Sequence, residues 1–178
     1  MNIKDIMLIS PEEVKAQSDV NYNVDDTMIG ASIRVSQNVY LRDVIGTELL
    51  EKIQQLIANA IEDNGDMKID DEGAIAYKTL LDDYITPVLT YKVASEICAR
   101  ISKRIRNAGV VSNSDTNMNA ASLQDIVYMK DTYDTYYNDA LNRMVEFICK
   151  NEEAYPESNF VCGCGKSPKY ARTGLWLG

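Results

Sequence analysis

Apolar residues recur every three or four positions over most of residues 1–150, which is the period of an amphipathic α-helix. This pattern predicts helices over residues 25–42, 48–62, 72–84, 87–106 and 122–149. The string "SPEEVKAQ" adds a short helix, because Ser10 can act as its N-cap, Pro11 suits its first position and Glu13 completes a capping box. No alternating strand pattern is comparably strong. We therefore predict an all-α fold, a small bundle of about five to six helices with an extended C-terminal tail.

A proline separates two of these predicted helices. Pro87 has no backbone N–H to donate, and inside a helix its ring clashes with the preceding turn. We predict a break here, with Thr86 as the N-cap of a new helix that runs to about Arg106. Gly46 marks an earlier break, after which Thr47 can cap the following helix.

The last two turns of the helix predicted after Pro87 are basic. They contain Arg100, Lys103, Arg104 and Arg106. Cations at a helix C-terminus complement the helix dipole, so a solvated helix end explains the cluster. Contact with DNA or with an acidic neighbour is the alternative. These four residues are our candidates for a subunit interface.

The final predicted helix carries a stripe of tyrosines. Tyr133, Tyr136 and Tyr137 lie at helical spacing with the apolar residues around them. Such a stripe indicates core packing or a subunit contact more than it indicates a ligand platform.

The periodic pattern ends near residue 150. We predict a helical domain over residues 1–150, with a long polar loop, rich in Asn and Ser, at residues 107–121. Residues 151–178 show no helical period but hold two of the four prolines, four of the nine glycines and the single tryptophan. This composition predicts an extended tail.

Composition excludes several classes of function. Histidine is absent, which removes the commonest general base and the commonest transition-metal ligand. The net charge is −9, and residues 1–85 carry 7 Lys and Arg against 17 Asp and Glu. Since affinity for nucleic acid depends mainly on Lys and Arg, this acidic half argues against tight binding of DNA or RNA. The N-terminus "MNIKDIMLISPEE" lacks a signal peptide, and no long apolar run is present, so we expect a cytoplasmic chain without a membrane segment.

The tail stretch "NFVCGCGKSP" includes a partial phosphate-binding loop. The triplet Gly165-Lys166-Ser167 matches the end of that motif, but the motif begins with a glycine where this chain has Phe160. Nucleotide binding is therefore disfavoured. Carboxylates are plentiful, yet nothing in the sequence brings two of them into one pocket. We predict no enzymatic activity and no cofactor.

The four cysteines suggest a metal site only weakly. Cys162 and Cys164 could join Cys98 and Cys149 around zinc, but paired zinc ligands are usually spaced C-x-x-C. Cysteines inside helices more often fill core space. In a chain without secretion signals, we expect reduced thiols and no bound metal.

A binding role remains for the tail. Its large side chains cannot be buried by the segment alone, and aromatic anchors dominate the energy of interfaces. The basic residues among them would contact an acidic partner. The candidate partner-binding residues are Cys162, Cys164, Lys166, Lys169, Tyr170, Arg172, Leu175, Trp176 and Leu177.

Two strings in the helical region resemble a known family. They are "YLRDVIGTEL", from Tyr40 to Leu49, and "LLDDYITP", from Leu80 to Pro87. Both are similar to segments of the head-to-tail connector (adaptor, or head-completion) proteins of tailed bacteriophages, in the version carried by crAss-like phages. The resemblance covers residues 5–150, and the Asn/Ser loop and the cysteine-containing tail match nothing in that family.

The resemblance implies a helical bundle that assembles into a ring, commonly of twelve copies, docked under the portal protein and next to other connector and tail rings. Genomic DNA would pass through this ring without specific binding, and an acidic wall would repel its phosphates. The resemblance also implies a location in the virion after assembly in the bacterial host, and it brings no catalytic residues. The alternative is a helical adaptor or regulatory module that binds a host or phage protein through its tail. Charge that keeps a protein soluble explains the value of −9 equally well.

Overall fold

The computed structural model describes residues 3–20, 23–64, 69, 74–106, 109–112 and 123–158. The α-helices of these ranges are α1 (Pro11–Gln17), α2 (Asp26–Val35), α3 (Arg42–Ile45), α4 (Thr47–Asn64), α5 (Ile75–Thr79), α6 (Thr86–Ser102) and α7 (Leu123–Lys150). A first π segment (Ser36–Leu41) joins α2 to α3, and a second π segment (Leu80–Ile85) joins α5 to α6. Single 3-10 turns occupy Ile3–Asp5 and Glu152–Ala154. The predicted all-α fold is confirmed.

Helix α1 begins at the predicted capping box. Ser10 Oγ accepts a hydrogen bond from Glu13 N at 3.2 Å, and Glu13 Oε2 accepts one from Ser10 N at 2.7 Å. Val14 is buried in the core, and Lys15 forms an ion pair with Asp26 in the first turn of α2. These contacts join α1 to the helix that follows it.

Gly46 produces the predicted turn between α3 and α4. Its φ of 87° is a value that residues with a side chain rarely adopt. Its N–H donates to Arg42 O at 3.0 Å, which ends α3, and α4 begins at the next residue, Thr47.

The predicted break at Pro87 is wrong. Thr86 has helical dihedral angles, φ −55° and ψ −49°, and the helical path continues without interruption from Ile75 to Ser102. The Thr86 N–H donates to Leu81 O, five residues earlier, and Thr86 Oγ1 donates to the same oxygen at 2.9 Å. A π turn is wider than an α turn, so it provides space for the proline ring that a regular α-helix lacks.

Helix α6 ends at Ser102, four residues before the predicted end. Lys103–Arg106 instead form strand β1, which pairs antiparallel with strand β2, Gly109–Ser112, and Ile105 lies opposite Val110. The first part of the predicted polar loop is therefore a strand. The remainder of that loop lies outside the described residues.

The segment before α1 is part of the core. Ile6, Leu8 and Ile9 are buried in the cluster that also includes residues of α2, α4, α6 and α7. No regular secondary structure continues through residues 6–9, so their backbone groups need other partners.

Two buried glutamines supply those partners. Gln37 Oε1 accepts from Leu8 N at 3.0 Å, and Gln37 Nε2 donates to Ile6 O at 2.9 Å. Gln54 Nε2 donates to the same carbonyl at 2.9 Å. Since Gln37 belongs to the first π segment and Gln54 to α4, these bonds join three elements.

The residues that follow α7 also belong to the helical domain. Tyr155 is buried, and its hydroxyl donates to Ala76 O at 2.9 Å. Its ring packs edge to face on Tyr77, with centroids 5.7 Å apart, and the Tyr77 hydroxyl donates to the Glu157 carboxylate at 2.9 Å. We call these contacts the C-terminal anchor. The described part of the predicted tail, residues 151–158, is therefore attached to the domain through Tyr155 and Glu157, whereas residues 151–154 are exposed.

Replacing Gln37 with Ala should destabilise the protein, because the buried N–H of Leu8 would lose its partner. An unsatisfied buried backbone group costs about 1–3 kcal/mol. We expect a decrease of that size in the free energy of unfolding measured by urea denaturation. Gln55→Ala is the matched control, because Gln55 is exposed on α4 and bonds to exposed Asn59. An equal loss in both variants would contradict the role assigned to Gln37.

Candidate interaction surface

Exposed apolar side chains are concentrated on two elements of the described structure. Six of the seven large ones belong to the first π segment or to the N-terminal half of α7, namely Val39, Tyr40, Val127, Tyr128, Met129 and Tyr136. Tyr128 is 75% exposed and Tyr136 is 50% exposed. Single exposed apolar residues are normal, whereas a group of them marks a surface for interaction.

The first π segment and α7 meet at Lys92 of α6. Lys92 Nζ lies 4.0 Å from the ring centroid of Tyr40 and 5.4 Å from that of Tyr137. It also lies 3.5 Å from Glu96 Oε1, one turn further along α6. Because aromatic faces attract a cation, Lys92 holds the two rings at fixed positions.

Further rings line the contact between α6 and α7. Tyr91 and Tyr136 have centroids 5.5 Å apart, and Tyr136 lies 6.5 Å from Tyr133. Tyr133 is buried, and its hydroxyl lies 3.2 Å from Asp19 Oδ2, to which it donates. We use the name aromatic face for the exposed apolar residues and the rings beside them, although they lie on more than one side of α7, because successive helix positions are about 100° apart. The members are Val39, Tyr40, Tyr91, Lys92, Val127, Tyr128, Met129, Tyr136 and Tyr137.

The helix beneath this face is acidic. Residues 124–139 of α7 contain four Asp and a single basic residue, Lys130. Asp134 accepts a hydrogen bond from Ser95 Oγ at 2.6 Å and pairs with Lys130. Burial alone would raise the pKa of Asp134, but the hydrogen bonds from Lys130 and Ser95 outweigh burial and lower that pKa. The carboxylate is therefore held in place and remains charged.

Two tyrosines of the face, Tyr40 and Tyr137, are neutral at physiological pH because their pKa values are raised. Burial raises the pKa of Tyr137 to about 12. Burial, together with the nearby Glu96 carboxylate, also raises the pKa of Tyr40. A general acid or base works best with a pKa close to the operating pH. These phenols are therefore suited to contact and hydrogen bonding, and they are poorly suited to proton transfer.

The basic residues predicted as a subunit interface do not share one helix end. Arg100 lies on α6, half-buried, and its Nε is buried without a hydrogen-bond partner in the described part of the chain. Lys103, Arg104 and Arg106 lie on β1. Stabilisation of a helix dipole therefore does not explain these three residues.

The predicted tail residues lie outside the described ranges. They are Cys162, Cys164, Lys166, Lys169, Tyr170, Arg172, Leu175, Trp176 and Leu177. Across the described ranges, no group of three or more His, Cys, Asp or Glu side chains is arranged to hold a metal ion, and none of the helices is long and apolar enough to cross a membrane.

The expectation of reduced thiols is wrong at one cysteine. Cys149, in the last turn of α7, forms a disulfide bond, whereas Cys98 on α6 is a free thiol whose pKa is raised by burial. The expectation concerned the redox compartment, while a disulfide also depends on which sulfurs the fold brings together.

The aromatic face was not among the interface residues predicted from the sequence. Tyr40 was named from the sequence only as part of the string that resembles connector proteins. The spacing of the tyrosines of α7 predicted a core or subunit contact for them. Spacing could not distinguish Tyr136, which is half exposed, from Tyr137, which packs beside Lys92. The two tyrosines differ because Lys92 of α6 packs on Tyr137, and this contact cannot be seen in the spacing of α7.

The chain belongs to a family of unknown function, DUF6712, whose model matches residues 41–168. This range includes Tyr91, Lys92 and all of α7, whereas Val39 and Tyr40 precede it. Comparisons with curated proteins and with solved structures found no match.

Stability should decrease between about pH 10, the ordinary pKa of tyrosine, and pH 12. Tyr137 has a folded-state pKa of about 12, so the unfolded chain releases this proton first as the pH rises. The contribution of Tyr137 is therefore complete below the unfolded pKa and is lost as the pH approaches the folded one. Tyr137→Phe should flatten this dependence in urea denaturation at a series of alkaline pH values.

The control for this experiment is Tyr128→Phe, because Tyr128 is 75% exposed. This variant keeps the buried Tyr137 phenol, so the alkaline decrease in stability that is linked to Tyr137 should remain. An unchanged pH dependence in Tyr137→Phe as well would show that burial of the Tyr137 phenol is not linked to folding.

Proposed function

We propose that this protein is a structural ring protein of a bacteriophage head-tail connector. The observation that carries the proposal is the aromatic face, which a single copy of the domain leaves in contact with water. Tyrosine and methionine are enriched in protein interfaces, where their apolar area is buried. Another protein surface is therefore the natural cover for this face.

The resemblance to connector proteins supports this assignment at particular residues. Tyr40 lies both in the string "YLRDVIGTEL" and in the aromatic face, where Lys92 packs on its ring. The string "LLDDYITP" contains the second π segment. Turns of π-helix are rare and frequently occur at functional sites.

A closed ring requires two different surfaces on each copy, because one surface of a copy meets another surface of the next. The aromatic face supplies one of them. Charge would set the orientation of neighbours, with the acidic residues 1–85 opposite the basic group predicted from the sequence. That basic group consists of Arg100, Lys103, Arg104 and Arg106.

In this role the ring, commonly of twelve copies in the family it resembles, lies in the virion between the portal protein and further connector or tail rings. An acidic channel wall would let the genomic DNA slide, because it repels phosphate instead of binding it. The role needs no catalytic residue, cofactor or metal.

A second candidate function is an adaptor module that binds another protein through its tail. The C-terminal anchor favours it, since Tyr155 and Glu157 fix the point from which the rest of the tail continues. An adaptor of this kind would work as a monomer, whereas a connector protein would form a ring. The mass of the particle in solution therefore distinguishes the two functions.

Native mass spectrometry of the full chain, alone and with portal protein, should show a ring. The double variant Tyr128→Ser, Tyr136→Ser should keep its helical circular dichroism, because both side chains are at least half exposed and the ring contacts of Tyr136 contribute only about 1 kcal/mol. It should nevertheless fail to assemble, since the aromatic face loses its two most exposed rings.

Ile75→Ser is the matched control for assembly. Ile75 is 60% exposed but lies on α5, outside the aromatic face. This variant should assemble like the parent protein. A chain that remains monomeric at high concentration with portal present would overturn the ring proposal in favour of the adaptor.

A further inference from the structure

The disulfide bond of Cys149, in the last turn of α7, has a partner that elimination identifies. The chain has four cysteines, at positions 98, 149, 162 and 164, and Cys98 is a free thiol. The partner of Cys149 within this chain is therefore Cys162 or Cys164. Since three cysteines share one bond, one member of this pair is left as a thiol.

The position of Cys98 agrees with this elimination. The charges of Asp134 and Lys130 act on its thiol, which therefore lies beside the middle of α7. Residues 134–149 of a helix span about 22 Å, whereas the Cα atoms of a disulfide are at most about 7 Å apart. Cys98 is therefore too far from Cys149 to bond to it.

We propose that Cys149 and the string Cys162-Gly163-Cys164 form a thiol–disulfide exchange site that ties the C-terminal segment to its own α7. One cysteine of the pair is bonded to Cys149, and the other is a thiol only two residues away. These two exchange places. The inference concerns a single chain, so it goes beyond the proposed function and does not depend on it.

The C-terminal anchor brings the pair within reach of Cys149. Tyr155 packs beside Phe147, two residues before Cys149, with ring centroids 6.0 Å apart. From Ser158 the chain continues for four residues to the first cysteine of the pair and for six to the second. Extended chain of these lengths spans about 14 Å and about 21 Å. The chain therefore leaves the anchor close to the end of α7, and either cysteine can meet Cys149.

The exchange step balances without an oxidant. The thiolate of the unbonded cysteine attacks the sulfur of Cys149, so one S–S bond forms as the earlier one breaks. The displaced cysteine leaves as a thiolate and takes up the proton that the attacking thiol released. The negative end of the helix dipole disfavours a thiolate at Cys149, in the last turn of α7. Cys149 therefore stays bonded, and the bond moves between Cys162 and Cys164.

A dithiol reductant opens the site. It supplies two electrons and two protons, becomes a disulfide itself, and leaves Cys149 and both cysteines of the pair as thiols. The contacts of Tyr155 and Glu157 then hold this end of the chain without a covalent tie. Oxidised glutathione, a small disulfide, accepts two electrons when the bond forms again. The bond is thus a redox-sensitive clasp on the segment that follows α7.

Peptide mapping of the full chain tests the inference. The protein is equilibrated with oxidised and reduced glutathione, and free thiols are then blocked with N-ethylmaleimide at pH 6. Trypsin separates residues 144–150, which contain Cys149, from residues 151–166, which contain the pair. These two peptides should be linked. Fragmentation between Cys162 and Cys164 should show both isomers of the bond in the parent protein.

Substitutions of single cysteines test the exchange. Cys162→Ser and Cys164→Ser should each keep a bond from Cys149 to the remaining cysteine of the pair, and the double variant should lose it. Cys98→Ser is the matched control and should give the pattern of the parent. Helical circular dichroism verifies that each variant is folded.

Every other result counts against the inference. A single isomer in the parent protein, or loss of the bond in either single variant, overturns the exchange. A bond from Cys149 to Cys98 or to a second chain overturns the clasp, and the intact mass of the denatured protein identifies linked chains. Glutathione attached to Cys149 in place of residues 151–166 also overturns it.

Discussion

Buried backbone groups must be hydrogen-bonded, and at residues 6–8, where no regular helix continues, side chains meet that requirement. Side chains also bond to two carbonyls that already accept a helical N–H. Gln37 and Gln54 bind the carbonyl of Ile6, Thr86 binds that of Leu81, and Tyr155 binds that of Ala76. These bonds hold, respectively, the N-terminal segment, the passage through the proline of α6, and the C-terminal anchor. Gln37 lies in one π segment and Thr86 directly follows the other. A π segment therefore takes part in two of these three contacts.

Helical periodicity in the sequence was sufficient to predict the helices that have long apolar stripes. The predicted ranges 48–62 and 122–149 lie within two residues of the observed ends of α4 and α7. It failed at Pro87, because the rule against proline assumes regular α turns, and a π turn closed by the Thr86 hydroxyl removes the clash. It also failed beyond Ser102. Ile105 continues the four-residue spacing of α6, so the pattern extended the predicted helix into a segment that pairs as a strand.

The aromatic face was harder to predict because it is assembled from three elements. Tyr136 and Tyr137 are adjacent in the sequence and equally consistent with a helical stripe. Their different surroundings depend on Lys92, which approaches Tyr137 from α6 and at the same time covers Tyr40 of the first π segment. Long-range contacts of this kind leave no local pattern. The interface residues that the sequence did suggest, the basic group around Arg100, lie outside this face, and three of the four lie on β1 and not on the predicted helix end.

A preorganised surface has a particular value for ring assembly. Lys92 holds Tyr40 and Tyr137, and Ser95 with Lys130 holds Asp134, so a partner would not have to immobilise these side chains on binding. The point at which the C-terminal segment leaves the domain is equally fixed by Tyr155. Whether a contact between two different surfaces closes into a ring or continues as a filament depends on the angle between successive copies.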